Sequence, residues 1–186
     1  MEQKEAEKTE KVSIRRSAGT AFLKECIADA LLKLMETKEF DKITVVEITN
    51  LANVGRATYF RHFNSKEEVL VYKIHLLWEA WVEAYQLGES LRFTKEDLTA
   101  CFEFIYSIRD MSRLLIKADK LNVLLIALGS ELDLPAAKDQ YELYAYHFIG
   151  IGLSAVLTEW IKRDYCEPPK DLIDYLMKYV LPKDMM

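Results

Sequence analysis

The sequence predicts an all-α protein, and three observations carry that prediction. Hydrophobic types make up 51% of the 186 residues and charged types 30%, enough apolar material to bury a core. Six Gly and four Pro are too few for an all-β sandwich or barrel, whose chain must turn every ten or so residues. Apolar residues recur at three- and four-residue steps along most of the chain, and no strand-like alternation is long enough to compete.

The elements follow in order. Residues 1–14 are charged and lack an apolar stripe, so a flexible tail is expected there. From about Ala18 to Thr37, Phe22, Leu23, Cys26, Ile27, Ala30, Leu31, Leu34 and Met35 form one helical stripe. Thr44 and Glu47 have capping-box spacing, so a short helix opens at Thr44. It ends near Asn53, one of the few residue types that tolerates the left-handed conformation. A second short helix spans about Gly55 to His62. Asn64-Ser65-Lys66-Glu67-Glu68 caps a long helix, which runs to about Leu87 with Leu70, Ile74, Leu77, Trp81 and Ala84 in register and ends at Gly88. Thr94 caps the next helix. Shorter helices occupy about 111–118 and 120–130, and Pro135 suits a first helical turn. A second long helix reaches Arg163, with Tyr141, Tyr144, Ala145, Phe148, Gly152, Ala155 and Val156 expected to point inward. Pro168 and Pro169 open a last helix ending before Pro182.

The net charge of −5 hides a segregation. Residues 11–66 carry ten Lys/Arg against six Asp/Glu, and residues 67–186 carry thirteen against twenty. A basic module on an acidic body still attracts phosphates, because attraction is screened beyond roughly 8–10 Å in physiological salt.

Several classes are disfavoured. The first eleven residues hold seven charges and no apolar run, so no signal peptide is expected. The longest apolar run, Phe148 to Leu157, falls far short of the ~20 residues that span a bilayer. No membrane association is expected, and a cytoplasmic location is expected. Cys26, Cys101 and Cys166 are too few and scattered for a disulfide framework or zinc site, and are expected as reduced thiols. His62, His75 and His147 lack metal spacing. Gly150-Ile151-Gly152 is no dinucleotide fingerprint, and no nucleophile motif is recognisable. The chain is not expected to be an enzyme, nor to hold a metal or cofactor.

Residues 43–62 have the length of a helix-turn-helix, whose second helix enters a DNA major groove. Val46, Ile48, Leu51, Ala52, Val54, Ala57 and Phe60 are candidates for a miniature core. Arg56, Thr58, Tyr59, Arg61 and His62 are left outside. Arg reads guanine, Thr touches a thymine methyl, and Tyr and His bond phosphates. Gly55 and Ala57 are small enough to let backbone approach DNA. Spacing alone leaves two readings open, a DNA reader and a helical hairpin with a solvated basic face.

The stretch from Ile43 to Leu70, ITVVEITNLANVGRATYFRHFNSKEEVL, closely resembles the DNA-binding domain of the TetR family of bacterial transcriptional regulators. The matching parts are Thr44, the Ala52-Asn53-Val54 turn, Thr58-Tyr59-Phe60, Arg61-His62-Phe63 and Ser65-Lys66-Glu67. Phe22 in the first helix also fits, and the resemblance covers roughly residues 15–75. Three positions depart from the family pattern. Asn53 stands where Gly is usual, and Gly55 stands where Ser or Thr usually offers a hydroxyl. The aromatic pair is inverted, which moves the phenol one position, about 100° around the helix.

The resemblance implies an architecture and a mechanism. A three-helix DNA-binding domain at residues 15–66 is joined by a long helix to a helical bundle at 67–186 that serves regulation and dimerisation. A homodimer sets two recognition helices in successive major grooves, ~34 Å apart, on a palindromic operator. A small-molecule effector then releases the DNA, most often lifting repression. DNA contacts are expected from Lys11, Arg15, Arg16, Thr44, Gly55, Arg56, Ala57, Thr58, Tyr59, Arg61, His62 and Lys66, the last as a phosphate clamp. Trp81, Tyr85, Tyr106 and Tyr144 are candidate effector contacts, although packing between helices explains each as well. Residues 137–163 and 170–181 are the candidate dimer seam, where small Gly150, Gly152, Ser154 and Ala155 suit either that seam or an intramolecular crossing. The rival reading is a helical ligand-binding or protein-interaction module that never touches DNA. Duplex affinity that is absent, or indifferent to salt, favours that rival.

Overall fold

Helix-forming residues dominate the chain, and the computed structural model is helical accordingly. It describes residues 2–87, 94–129 and 138–181, with side chains from Gly19 onward. Among these residues every regular element is a helix: α1 (Glu2–Thr37), a 3-10 turn (Phe40–Lys42), α2 (Val45–Leu51), α3 (Arg56–His62), α4 (Lys66–Tyr85), α5 (Lys95–Ser107), α6 (Arg109–Lys117), α7 (Leu121–Gly129), α8 (Gln140–Lys162) and α9 (Pro169–Tyr179). The chain divides into two compact units, residues 1–73 and 74–186, with the division inside α4.

Where helices stop, the chain uses polar residues in place of glycine. Asn53, Gln86, Asp119 and Asp164 all have φ between 53° and 56°. Asn and Asp bear the left-handed conformation at lowest cost among residues with a side chain. This accounts for well-terminated helices in a chain so poor in Gly.

The first unit is built on α1. Ile27, Ala28, Ala30, Leu31 and Met35 are buried there, joined by Phe40, Ile43, Ile48, Tyr59, Phe63, Val69 and Leu70. Lys73 on α4 reaches Asp29 at 2.7 Å, and Lys24 lies 3.9 Å from the centre of the Tyr72 ring. Two expectations change in this unit. Helix extends back to Glu2, where a tail was expected, because Glu2–Lys11 consists mostly of strong helix formers that can propagate α1. Phe22, expected inside, is 66% exposed. It lies one position off the Leu23–Ile27–Ala30–Leu31 face that the core selects.

The second unit packs α5 to α9 around Leu98, Phe102, Phe104, Ile105, Leu115, Leu124, Trp160 and Ile173, with Ile74 and Trp78 of α4 also buried. Thr94 caps α5 by accepting from the Asp97 amide at 3.1 Å, and Asp139 caps α8 by accepting from the Tyr141 and Glu142 amides. Pro169 occupies the first turn of α9. Lys95 joins α5 to Asp174 on α9 at 2.5 Å. Gly88, Pro135 and Pro182 lie outside the described residues.

The expected inward face of α8 is reversed. Tyr146, Ile149, Leu157, Trp160 and Ile161 are buried, whereas Tyr141, Tyr144, Phe148 and Ile151 are exposed, Phe148 by 80%. Both faces of this helix are apolar, so periodicity alone does not choose between them. The small residues are shared between the faces. Gly150 and Ser154 line an inner recess with Leu98, Cys101 and Leu128, while Gly152 and Ala155 are exposed. The cysteines are free, and burial pushes the Cys101 thiol up to about 12. No described helix is long and apolar enough to cross a membrane.

Candidate nucleic-acid interface

The interface begins with the cap of α2. The Glu47 amide donates to Thr44 Oγ1 at 3.3 Å, and the Thr44 amide donates back to the Glu47 carboxylate at 2.9 Å. This is the capping box that the spacing predicts, and it fixes where the helix starts. Lys38 reaches the same carboxylate at 2.5 Å. The hydrogen bond from Lys38, then those from the Thr44 backbone and hydroxyl, hold the Glu47 carboxyl down at about 2.

The turn after α2 is a Schellman motif. Asn53 sits at φ 53°, its amide donates to Asn50 O at 3.2 Å, and the Val54 amide donates to Thr49 O at 3.0 Å. Asn53 thus takes the left-handed position expected of it. Buried Thr49 returns its hydroxyl to Val45 O at 2.9 Å, which pairs that buried group.

Gly55 precedes α3 at φ −74° and ψ 146°, a conformation open to any residue. A Cβ built there meets only Thr58 Oγ1, at 3.9 Å. The glycine therefore leaves open space beside the start of α3, and the helix has no side-chain cap. At 100° per residue the seven positions of α3 separate cleanly. Arg56, Ala57, Phe60 and Arg61 are exposed, Thr58 and His62 are half-buried, and Tyr59 is buried. Arg56 and Arg61 make no hydrogen bond or ion pair among the described residues.

Two expected DNA contacts are corrected by this geometry. Tyr59 is 1% exposed, wedged between Phe60 at 5.3 Å and Phe63 at 5.9 Å between ring centres. Its hydroxyl has no partner among the described residues. Burial, with lesser help from Glu67 and Glu68, pushes its phenol above the usual range. Tyr59 belongs to the core because α3 turns that position inward. Lys66 is likewise not a free cation. Its Nζ donates to Phe40 O at 2.5 Å and Ile43 O at 2.9 Å, and lies 4.5 Å from the Phe40 ring centre. It straps the start of α4 to the turn before α2.

The apolar expectations shift in the opposite sense. Ile48 is buried as foreseen, but Val46, Leu51, Ala57 and Phe60 are exposed. Phe60, assigned to the core from sequence, is 55% exposed. One signal pointed that way: Phe60 lies four residues after Arg56, on the same row of the helix. Thr44 is exposed with its hydroxyl engaged in the cap. Lys11, Arg15 and Arg16 lie on α1, where side chains fall outside the described residues.

Residues 27–72 match the sequence profile of "Bacterial regulatory proteins, tetR family". They form a TetR-family DNA-binding domain. The TetR-family match covers α2, the turn, α3 and their α1 and α4 supports, and it places the chain among transcriptional regulators. Among solved structures, the dihydroxyacetone kinase operon activator DhaS is similar, with a TM-score of 0.52 and 16% identity over 84% of this chain and 92% of that one. At that identity the likeness is one of fold. No curated protein matches the chain.

The four candidate effector contacts do not converge. Trp81 stacks on Tyr85 with ring centres 4.0 Å apart. The pair lines a recess of about 270 Å³ with Lys95, Thr99 and Glu103. The buried Trp81 Nε1 has no partner among the described residues. Tyr106 instead packs in a separate cluster, 6.3 Å from Trp160 and 5.6 Å from Tyr165. Tyr144 stands on the outer face of α8. Both are removed from any shared pocket by the phase of their helices.

Proposed function

We propose that the chain is a homodimeric transcriptional repressor that reads a palindromic operator with α3 and is released by a small-molecule effector. The observation that carries this reading is the pair of exposed guanidinia on α3, which have no partner among the described residues. Arg56 and Arg61 flank a helix whose start is left open by Gly55. Phosphates or guanine edges satisfy such groups, and open water otherwise surrounds them. Thr58 and His62 border the same face, and Thr44 lies exposed at the start of α2. Lys11, Arg15 and Arg16 add sequence-independent attraction from α1.

The exposed apolar face of α8 supports the dimer. Tyr141, Tyr144, Phe148 and Ile151 recur on it at three- and four-residue steps, and α9 adds exposed Tyr175 and Tyr179. Large apolar side chains exposed in this way are costly in water, and a two-fold axis lets the same face cover itself on a second copy. The recess at Trp81 and Tyr85 is the proposed effector site, where a buried indole N–H has no partner among the described residues. Effector binding there biases the dimer between two states that differ in DNA affinity. The fold accommodates either sign of regulation, since a protein of similar fold is named as an activator. Repression is the direct consequence of occupying promoter DNA and is the direction proposed.

The test is duplex binding by fluorescence anisotropy at several salt concentrations. The expected log–log slope is about −0.9 per neutralised phosphate, and Arg61→Ala flattens it by about one such unit. Salt-indifferent binding, or none, contradicts the proposal.

A further inference from the structure

Phe60 is the residue of α3 that the proposed phosphate and guanine contacts leave unused. It shares a helical row with Arg56, and the adjacent row holds Ala57 and Arg61. All four are exposed, so the outer surface of α3 is apolar at its centre and cationic at both ends. A phenylalanine ring has no hydrogen-bonding group, so it cannot hold a phosphate. More than half of it faces solvent, although the same helix buries the neighbouring Tyr59.

The surroundings limit what covers this ring. An apolar protein partner would desolvate Arg56 and Arg61 without pairing them, which is costly. A surface that pairs both cations and still offers a small apolar group between them avoids that cost. The DNA major groove has these properties. Phosphates line its walls, and the C5-methyl of thymine is the apolar group on its floor. Open space at Gly55 and the short side chain of Ala57 permit the close approach that such a contact needs.

We infer that Phe60 is a specificity-determining residue that reads sequence by packing its ring on a thymine methyl. This rests on the DNA-binding reading above and deepens it. The arginines supply affinity and the guanine or phosphate contacts. Phe60 sets a preference for thymine at a fixed position of each half-site, which a tyrosine hydrogen-bonded to phosphate would not do. The inverted order of the aromatic pair, with tyrosine inside and phenylalanine outside, is therefore a change in what the helix reads.

The experiment uses the full-length protein and a duplex recovered by selection from a random pool. Each thymine is replaced in turn by deoxyuridine, which removes the methyl and leaves every hydrogen-bonding group in place. Loss of one buried methyl corresponds to about a fourfold weaker Kd. The wild type is expected to lose about that factor at one or two symmetry-related positions. Phe60→Ala, checked for an unchanged melting profile, is expected to bind more weakly and to be indifferent to the same replacement. A wild type that ignores deoxyuridine at every position overturns the inference while leaving DNA binding intact. So does a discrimination that persists in Phe60→Ala. Failure to hold any duplex in a salt-dependent manner overturns both readings together.

Discussion

Replacing Tyr59 by phenylalanine separates a core role from a DNA-contact role in a single variant. The hydroxyl is buried and lacks a partner among the described residues. An unsatisfied buried hydroxyl costs about 1–3 kcal/mol relative to its hydrated state. Deleting the oxygen removes that cost while keeping the ring contacts to Phe60 and Phe63. The small void left behind returns part of the gain. The net expectation is a stabilisation of about 1 kcal/mol, or a Tm higher by about 2–4 °C for a chain of this length. The pH dependence supplies a second arm. Burial raises the folded-state phenol, so the unfolded chain ionises first as pH climbs past about 10. Stability present below that pH is therefore lost above it, and the variant should lose less. Thermal melts followed by far-ultraviolet circular dichroism measure both effects. Anisotropy on the selected duplex should show an affinity within about twofold of wild type. A variant that is less stable and also binds DNA several-fold more weakly would refute the reasoning, because the hydroxyl would then be making bonds that the buried geometry denies it.

Three further outcomes follow from other contacts. Lys66→Met removes two charge-assisted hydrogen bonds to the carbonyls of Phe40 and Ile43, and should cost about 2 kcal/mol in urea denaturation while leaving the salt slope of DNA binding unchanged. Glu47 is held at about 2 against an ordinary 4.5, so its contribution is complete above pH 4.5 and lost as pH falls towards 2; Glu47→Gln should lower stability at neutral pH and weaken its acid dependence in that window. Phe148→Glu places a charge at the centre of the exposed α8 face, and sedimentation velocity should show a dimer for wild type and a monomer for the variant with unchanged helix content.

Much of the first unit was legible because its signals are local. Thr44 and Glu47 define a cap by residue type and spacing, and Asn53 marks a left-handed turn by its own conformational tolerance. The cap at Thr94 and the proline at the start of α9 were readable for the same reason. Helix phase was less accessible. Tyr59 and Phe60 are adjacent aromatics about 100° apart, and seven residues give too little periodicity to rank them. Packing within the first unit decides which one is buried. The same ambiguity affects α8, where both faces are apolar and the rest of the second unit selects Tyr146 and Ile149. Lys66 shows a third limit. A cation at a helix start reads as a phosphate clamp until the carbonyls of Phe40 and Ile43, far upstream in sequence, are seen to occupy it.

Selection of bound duplexes from a random pool asks of the protein itself which DNA α3 reads. The expected product is an inverted repeat whose half-sites are centred about one helical turn apart, held by wild type and released when Arg56 and Arg61 are both changed to glutamate. A pool that shows no enrichment, or a recovered sequence that the double variant holds equally well, would contradict it.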